Sequence, residues 1–147
     1  MGNDLEKTIK QDYEKEKQEA IGAGVRALDS LNAAKDFLYH AADWGLLDMI
    51  GGGLFTTMIK HSKLDKARSA LEAARYDLQN FIKELADIDR KFNLSLELGD
   101  FLELADYLFD NFFVDYLVQE KITEAREQVD RAIAEVERIV YELKAEG

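Results

Sequence analysis

The chain has 147 residues, 47% of them apolar and 33% charged, with a net charge of −11 and neither cysteine nor proline. That length is one ordinary domain, able to bury roughly 70% of its unfolded surface, so no disulfide or metal is needed to hold a core. The missing cysteines exclude thiol catalysis, disulfides and zinc–thiolate sites and fit a reducing, cytoplasmic compartment, while the acidity opposes binding to phosphate backbones and anionic membranes.

Without proline, long uninterrupted helices are favoured. The start, Asn3-Asp4-Leu5-Glu6-Lys7, holds no apolar signal core. Residues 4–42 read as one long helix, or two in line. Its first half, to about Glu19, is mostly charged and has only Leu5, Ile9 and Tyr13 at four-residue spacing, a stretch expected to fray or protrude. In the second half Ile21, Val25, Leu28, Leu31, Ala34, Leu38 and Ala41 share one face at helical period.

Asp43 to Gly53 is the main break, with Gly45 suited to a helix C-cap and Gly51, Gly52 and Gly53 poorly suited to a helix interior. The run from Trp44 to Ile59 is 16 residues long and contains Asp48 and three glycines. A membrane-spanning helix needs about 20 apolar residues, so integral membrane association is not expected. A short apolar helix is predicted from Leu54 to Lys60. Ser62 and Asp65 then have the spacing of a capping box for a new helix. Leu64, Ala67, Leu71, Ala74, Leu78, Phe81, Leu85, Ile88 and Phe92 follow in strict steps of three and four, a coiled-coil-like seam. Lys60, His61, Lys63, Lys66 and Arg68, with Asp65 among them, are too weak a basic patch for nucleic acid.

Between Asn93 and Leu98 the period drops to two, with Leu94, Leu96 and Leu98 alternating with polar residues. This is an extended connector laid on the helices, or a strand that pairs with its own copy. The weak stability of an isolated strand pair favours the connector. Asp100 caps a Phe-rich helix of Phe101, Leu102, Leu104, Ala105, Leu108, Phe109, Phe112 and Phe113. In the last helix Ile122, Ala125, Val129, Ala132, Val136, Ile139 and Leu143 again alternate three and four.

In both seams every second apolar position is small early and large late: Ala67 and Ala74 then Phe81 and Ile88, and Ala125 and Ala132 then Ile139. Set antiparallel, Ala67 and Ala74 would face Ile139, and Phe81 and Ile88 would face Ala125 and Ala132. The expectation is a single all-α domain over 1–147. It is an antiparallel bundle of three long helices, with the short apolar helix and with the Phe-rich helix closing one end.

Few constellations suggest chemistry. His40 lies between Asp36 and Asp43 at helical spacing, but opposite the Leu28–Leu31–Leu38 stripe, which makes it part of a solvated face. No Glu-x-x-His or His-Glu-x-x-His occurs. From Asp87, a calcium loop fails at Lys91, Phe92 and Leu98. Gly51-Gly52-Gly53 precedes a helix, yet Leu54 and Phe55 follow where a phosphate loop needs Lys-Ser/Thr, so a tight corner between helices is the plainer account. Asp106 and Asp110 lie one turn apart in the Phe-rich helix, with Asp115 beyond. If buried, they would need partners such as Lys60 and His61. Trp44 is expected to anchor the corner.

Asp43-Trp44-Gly45-Leu46-Leu47-Asp48-Met49-Ile50-Gly51-Gly52-Gly53, with Lys60-His61-Ser62-Lys63-Leu64-Asp65-Lys66-Ala67, resembles a family of uncharacterised bacterial all-helical proteins. Their pattern is Trp-x-x-x-Asp-x-x-Gly-Gly-Gly followed by Lys-His-x-x-x-Asp-x-Ala. A later segment like Ala105-Asp106-Tyr107-Leu108-Phe109-Asp110, then Asp115-Tyr116 and Ile122, extends the resemblance over about 25–130. It implies a shared helical fold and shared motif positions, without an activity, a cofactor or a metal. The expected function is non-enzymatic: a helical interaction or scaffold protein whose partner is another protein or a second copy. The alternative is a ligand- or metal-binding protein or enzyme, its site joining the Gly51–Gly53 corner and Asp48 to Lys60, His61, Asp106 and Asp110.

Overall fold

The computed structural model describes residues 2–40, 54–94, 96–111 and 119–145. Among them all regular structure is helical: α1 Gly2–Tyr39, α2 Leu54–Phe92, α3 Gly99–Asn111 and α4 Gln119–Ala145. No described helix is long and apolar enough to cross a membrane.

The helix α1 is continuous, as one of the two sequence readings has it. The helix α2 is continuous too, and here the expected short helix at 54–60 is corrected: Ser62 lies inside α2 and not at a helix start. Residues 54–92 contain neither glycine nor proline. A single serine lowers helix propensity by only about 0.5 kcal/mol, too little to end a helix. Likewise α3 begins at Gly99, so Asp100 stands within its first turn, where a carboxylate complements the helix dipole.

The described parts of the seams read from the sequence are buried, with Phe92 half-buried, while Leu64, Ala67, Ile122 and Ala125 have side chains outside those described. On α2, Leu71, Ala74, Leu78, Phe81, Leu85 and Ile88 are sealed from solvent, and on α4 so are Val129, Ala132, Val136, Ile139 and Leu143. Ile133 and Val140 widen the α4 stripe. On α1 the buried residues are Lys17, Ala20, Ile21, Ala23, Gly24, Ala27, Leu31, Ala34 and Leu38, whereas Val25, expected inward, is exposed. Small side chains mark the inward face of this helix, and a reading weighted to large apolar residues misplaces its centre.

Contacts set the directions. The Tyr13 ring meets Phe92, Glu16 meets Lys91 and Ser30 Oγ donates to Asp77, so α1 and α2 are antiparallel. Gly24 meets Val140, Lys35 meets Asp130 and Arg126 meets Leu38, so α1 and α4 are antiparallel as well. Hence α2 and α4 run the same way, and the expected antiparallel pairing of their seams is corrected. Among the described residues their α-carbons nowhere approach within 8 Å. The small-against-large matching is met instead by α1. A Cβ on Gly24 would lie 2.5 Å from Val140 Cγ2 and 3.0 Å from Phe81 Cε1, so α2 and α4 both press large side chains onto its bare backbone.

The chain returns between α2 and α4 through α3. Asn93, at φ 49°, ends α2 in the left-handed region, with its N–H donating to Asp89 O at 2.7 Å. Leu94, Leu96 and Leu98 then pack on the core, which supports the connector reading for this stretch. Phe101 meets Phe81 edge-on at 5.8 Å, and Leu104, Ala105 and Leu108 complete a buried stripe. Arg138 Nη2 donates to Glu97 O at 2.7 Å, while Leu104 and Tyr107 lie near Gln128 and Arg131. The order of these pairs shows α3 running antiparallel along the flank of α4 and not across an end. Its stripe at i, i+3, i+4 and i+7 needs a helix side to bury it.

Candidate functional site

The site expected from the sequence falls largely outside the described part of the molecule. Asp43, Trp44, Asp48, Gly51, Gly52, Gly53 and Asp115 lie outside the described residues. Lys60 and His61 belong to the first turns of α2 and Asp110 to α3, but their side chains are outside those described. Asp106 is exposed on α3 and so needs no buried partner. His40 is exposed as expected, its Nδ1–H donating to Asp36 O at 2.7 Å.

At the end of α1 nearest that corner, four side chains tie it to α4. Arg126 donates through Nε to Leu38 O (2.9 Å) and through Nη2 to Tyr39 O (3.3 Å), satisfying carbonyls that the helix end leaves open. Its guanidinium also lies over the Tyr39 ring, 5.0 Å from the centroid. Asp130 accepts from the Tyr39 hydroxyl and pairs with Lys35 Nζ at 3.2 Å. The hydrogen bond to Asp130 holds the Tyr39 phenol above its ordinary range, and the same carboxylate raises Lys35. Together these contacts clamp the end of α1 to α4.

Between α3 and α4 runs a cleft of about 210 Å³ lined by Asp100, Glu103, Leu104, Tyr107, Gln128 and Arg131. Small-molecule sites usually enclose about 300–1,000 Å³ and are mostly apolar, so this cleft is small and polar for that role.

The opposite end of α1 is different. Residues 2–12 are all exposed, while Tyr13 already touches Phe92 at the end of α2. Val140 lies level with Gly24, which sets the end of α4 near residue 19. The first eleven residues of α1 therefore project as a helical arm, about 16 Å long at 1.5 Å per residue. On it Leu5 is 64% and Ile9 51% exposed. Taking 100° per residue, Ile9 points within about 30°, and Leu5 within about 70°, of the mean direction of the buried α1 residues. The inward stripe thus continues for more than two turns past the helices that cover it. The four-residue spacing of Leu5, Ile9 and Tyr13 was the signal for this in the sequence.

Just inside the arm, Glu16 and Glu19 of α1 meet Glu84 of α2, with one carboxylate oxygen of each within 4.8 Å of the others. Nothing local in the sequence could bring Glu84 to this group. Lys91 Nζ pairs with Glu16 at 2.8 Å, and Lys17, buried to 7% exposure, pairs with Glu14 at 3.3 Å. Burial, then the charges of Glu19, Asp87 and Glu16, raises the Glu84 carboxyl above its ordinary range. Three such oxygens are hard ligands, but they are about half of what calcium takes.

The folded chain holds the Glu84 proton more tightly than the unfolded chain does. The associated stability is full below the ordinary glutamate range and lost as pH rises through the folded value. Glu84→Gln is therefore expected to raise stability at neutral pH, by no more than about 0.5 kcal/mol for so open a site. The gain should vanish in acid. Urea unfolding at two pH values measures both, and a loss at neutral pH would contradict the crowding of these carboxylates.

Comparison with protein-family models, with curated proteins and with solved structures finds no match to this chain. What the fold and sites define is a class: an all-helical protein with a projecting amphipathic arm.

Proposed function

We propose that this is a non-enzymatic helical interaction protein, in which α1, α2 and α4 form one bundle that holds out the arm of α1 to another polypeptide. The observation that carries this reading is the exposure of Leu5 and Ile9 on the continuation of the side that α1 buries between Lys17 and Leu38. Residues that continue a core stripe into solvent have the spacing of helix-in-groove anchors. Lys91 with Glu16, Lys35 and Tyr39 with Asp130, and Arg126 with the end of α1 support the same reading, since they join helix to helix. We also assign the chain, on the motif of residues 43–53 and 60–67, to the helical family it resembles. Its cysteine-free composition suits a cytoplasmic place.

Native mass spectrometry of the full chain as purified tests the proposal. A bound polypeptide mass, either a second copy or another chain, is expected, and it should be lost in Ile9→Asp. Ile9 is exposed, so that change should shift folding stability by no more than about 0.5 kcal/mol, and unchanged helical circular dichroism would verify it. A small-molecule or metal mass that disappears in His61→Ala or Asp106→Ala, with no polypeptide bound, would overturn the proposal in favour of a ligand site at the corner.

A further inference from the structure

The apolar stripe of the arm has a charged border, and the charges nearest Leu5 and Ile9 are acidic. At 100° per residue, Glu6 and Asp12 flank Leu5 and Ile9 on opposite sides, and Glu16 follows in line. Lys7 falls on the far side of the helix, while Lys10 beyond Glu6 and Lys15 beyond Asp12 stand farther from the stripe than those two carboxylates. The stripe then leads directly to the triplet of Glu16, Glu19 and Glu84, where among the described residues only Glu16 receives an ammonium, from Lys91. A second copy is a poor cover for such a surface. Antiparallel pairing about Ile9 would set Glu6 opposite Asp12 of the other chain, and each copy brings a net charge of −11. Like charges facing across an interface are a standard means of rejecting a partner.

We propose that the face formed by Leu5, Ile9, Glu6, Asp12 and the Glu16–Glu19–Glu84 triplet docks a basic amphipathic helix of another protein. The apolar side chains of that helix cover Leu5 and Ile9, and its lysines or arginines meet the acidic border. A cation placed at the triplet relieves the repulsion among its three carboxylates. This inference rests on the interaction reading above and adds the chemistry of the partner.

The test titrates the full chain with three synthetic peptides. The first carries leucines at i, i+4 spacing flanked by lysines, the second is its scrambled isomer of equal charge, and the third has glutamates in place of the lysines. The first is expected to bind with strong salt dependence and the scrambled isomer roughly tenfold more weakly, the scale on which buried anchors contribute. The glutamate peptide should not bind. Leu5→Ser with Ile9→Ser should cost roughly tenfold, and Glu6→Gln with Asp12→Asn should weaken binding and flatten its salt dependence. Equal binding of the scrambled isomer or of the glutamate peptide, or wild-type affinity in the serine variant, overturns the proposal. Sedimentation then separates the two levels. If the basic peptide fails but the chain forms a dimer that Ile9→Ser dissolves, the basic partner is wrong and the interaction reading stands. If the arm variants alter neither peptide binding nor oligomeric state, both are wrong.

Discussion

Phe81→Ala is expected to lower folding stability by about 3–5 kcal/mol, the range for deleting a buried aromatic ring. Phe81 is fully buried, and its ring edge reaches both Gly24 of α1 and Phe101 of α3. Its removal opens a cavity at the level where α1, α2, α3 and α4 meet, against the backbone of Gly24, which has no side chain to fill it. Urea unfolding followed by circular dichroism measures the loss. Tyr76→Ala on the same helix, at 65% exposure, is the control and should stay within about 0.5 kcal/mol of the parent. A Phe81→Ala cost as small as the control's would mean that α1 does not lie between α2 and α4 as described.

The second large effect comes from adding one carbon. Gly24→Ala should destabilise the chain by about 1–2 kcal/mol, the overpacking range less part of the helix-propensity gain. The new Cβ would meet Val140 Cγ2 at 2.5 Å, and the stiff β-branched side chain of valine has little room to yield. Two residues earlier the same change should have the opposite sign. A Cβ on Gly22 meets only the Arg26 guanidinium, at 3.4 Å, so Gly22→Ala should stabilise by about 0.5–1 kcal/mol. Val140→Ala removes the clashing methyl. Combined with Gly24→Ala it should give a variant more stable than the sum of the single losses, by on the order of 1 kcal/mol. Additive losses would mean that Gly24 and Val140 are not in contact.

The site was legible in part. The four-residue spacing of Leu5, Ile9 and Tyr13 in a charged stretch marked the arm, because periodicity is a local property of the chain. The triplet of Glu16, Glu19 and Glu84 was not legible, since it joins positions on two helices and no local pattern ties them. The clamp of Arg126 and Asp130 on the end of α1 was hidden for the same reason.

Read alone, the amino-acid order determines that the chain is helical and which faces of α2 and α4 are buried. Steps of three and four between apolar residues have only one regular conformation that gathers them on a side. It cannot choose among partners, because a seam with small and large ends is matched equally well by an antiparallel twin or by a third helix of small residues. The tertiary structure made that choice. The bare backbone at Gly24 and the alanines around it let α1 approach both neighbours closely, and the return of the chain through α3 set α4 parallel to α2. Close packing, which depends on all the helices at once, decided what periodicity had left open.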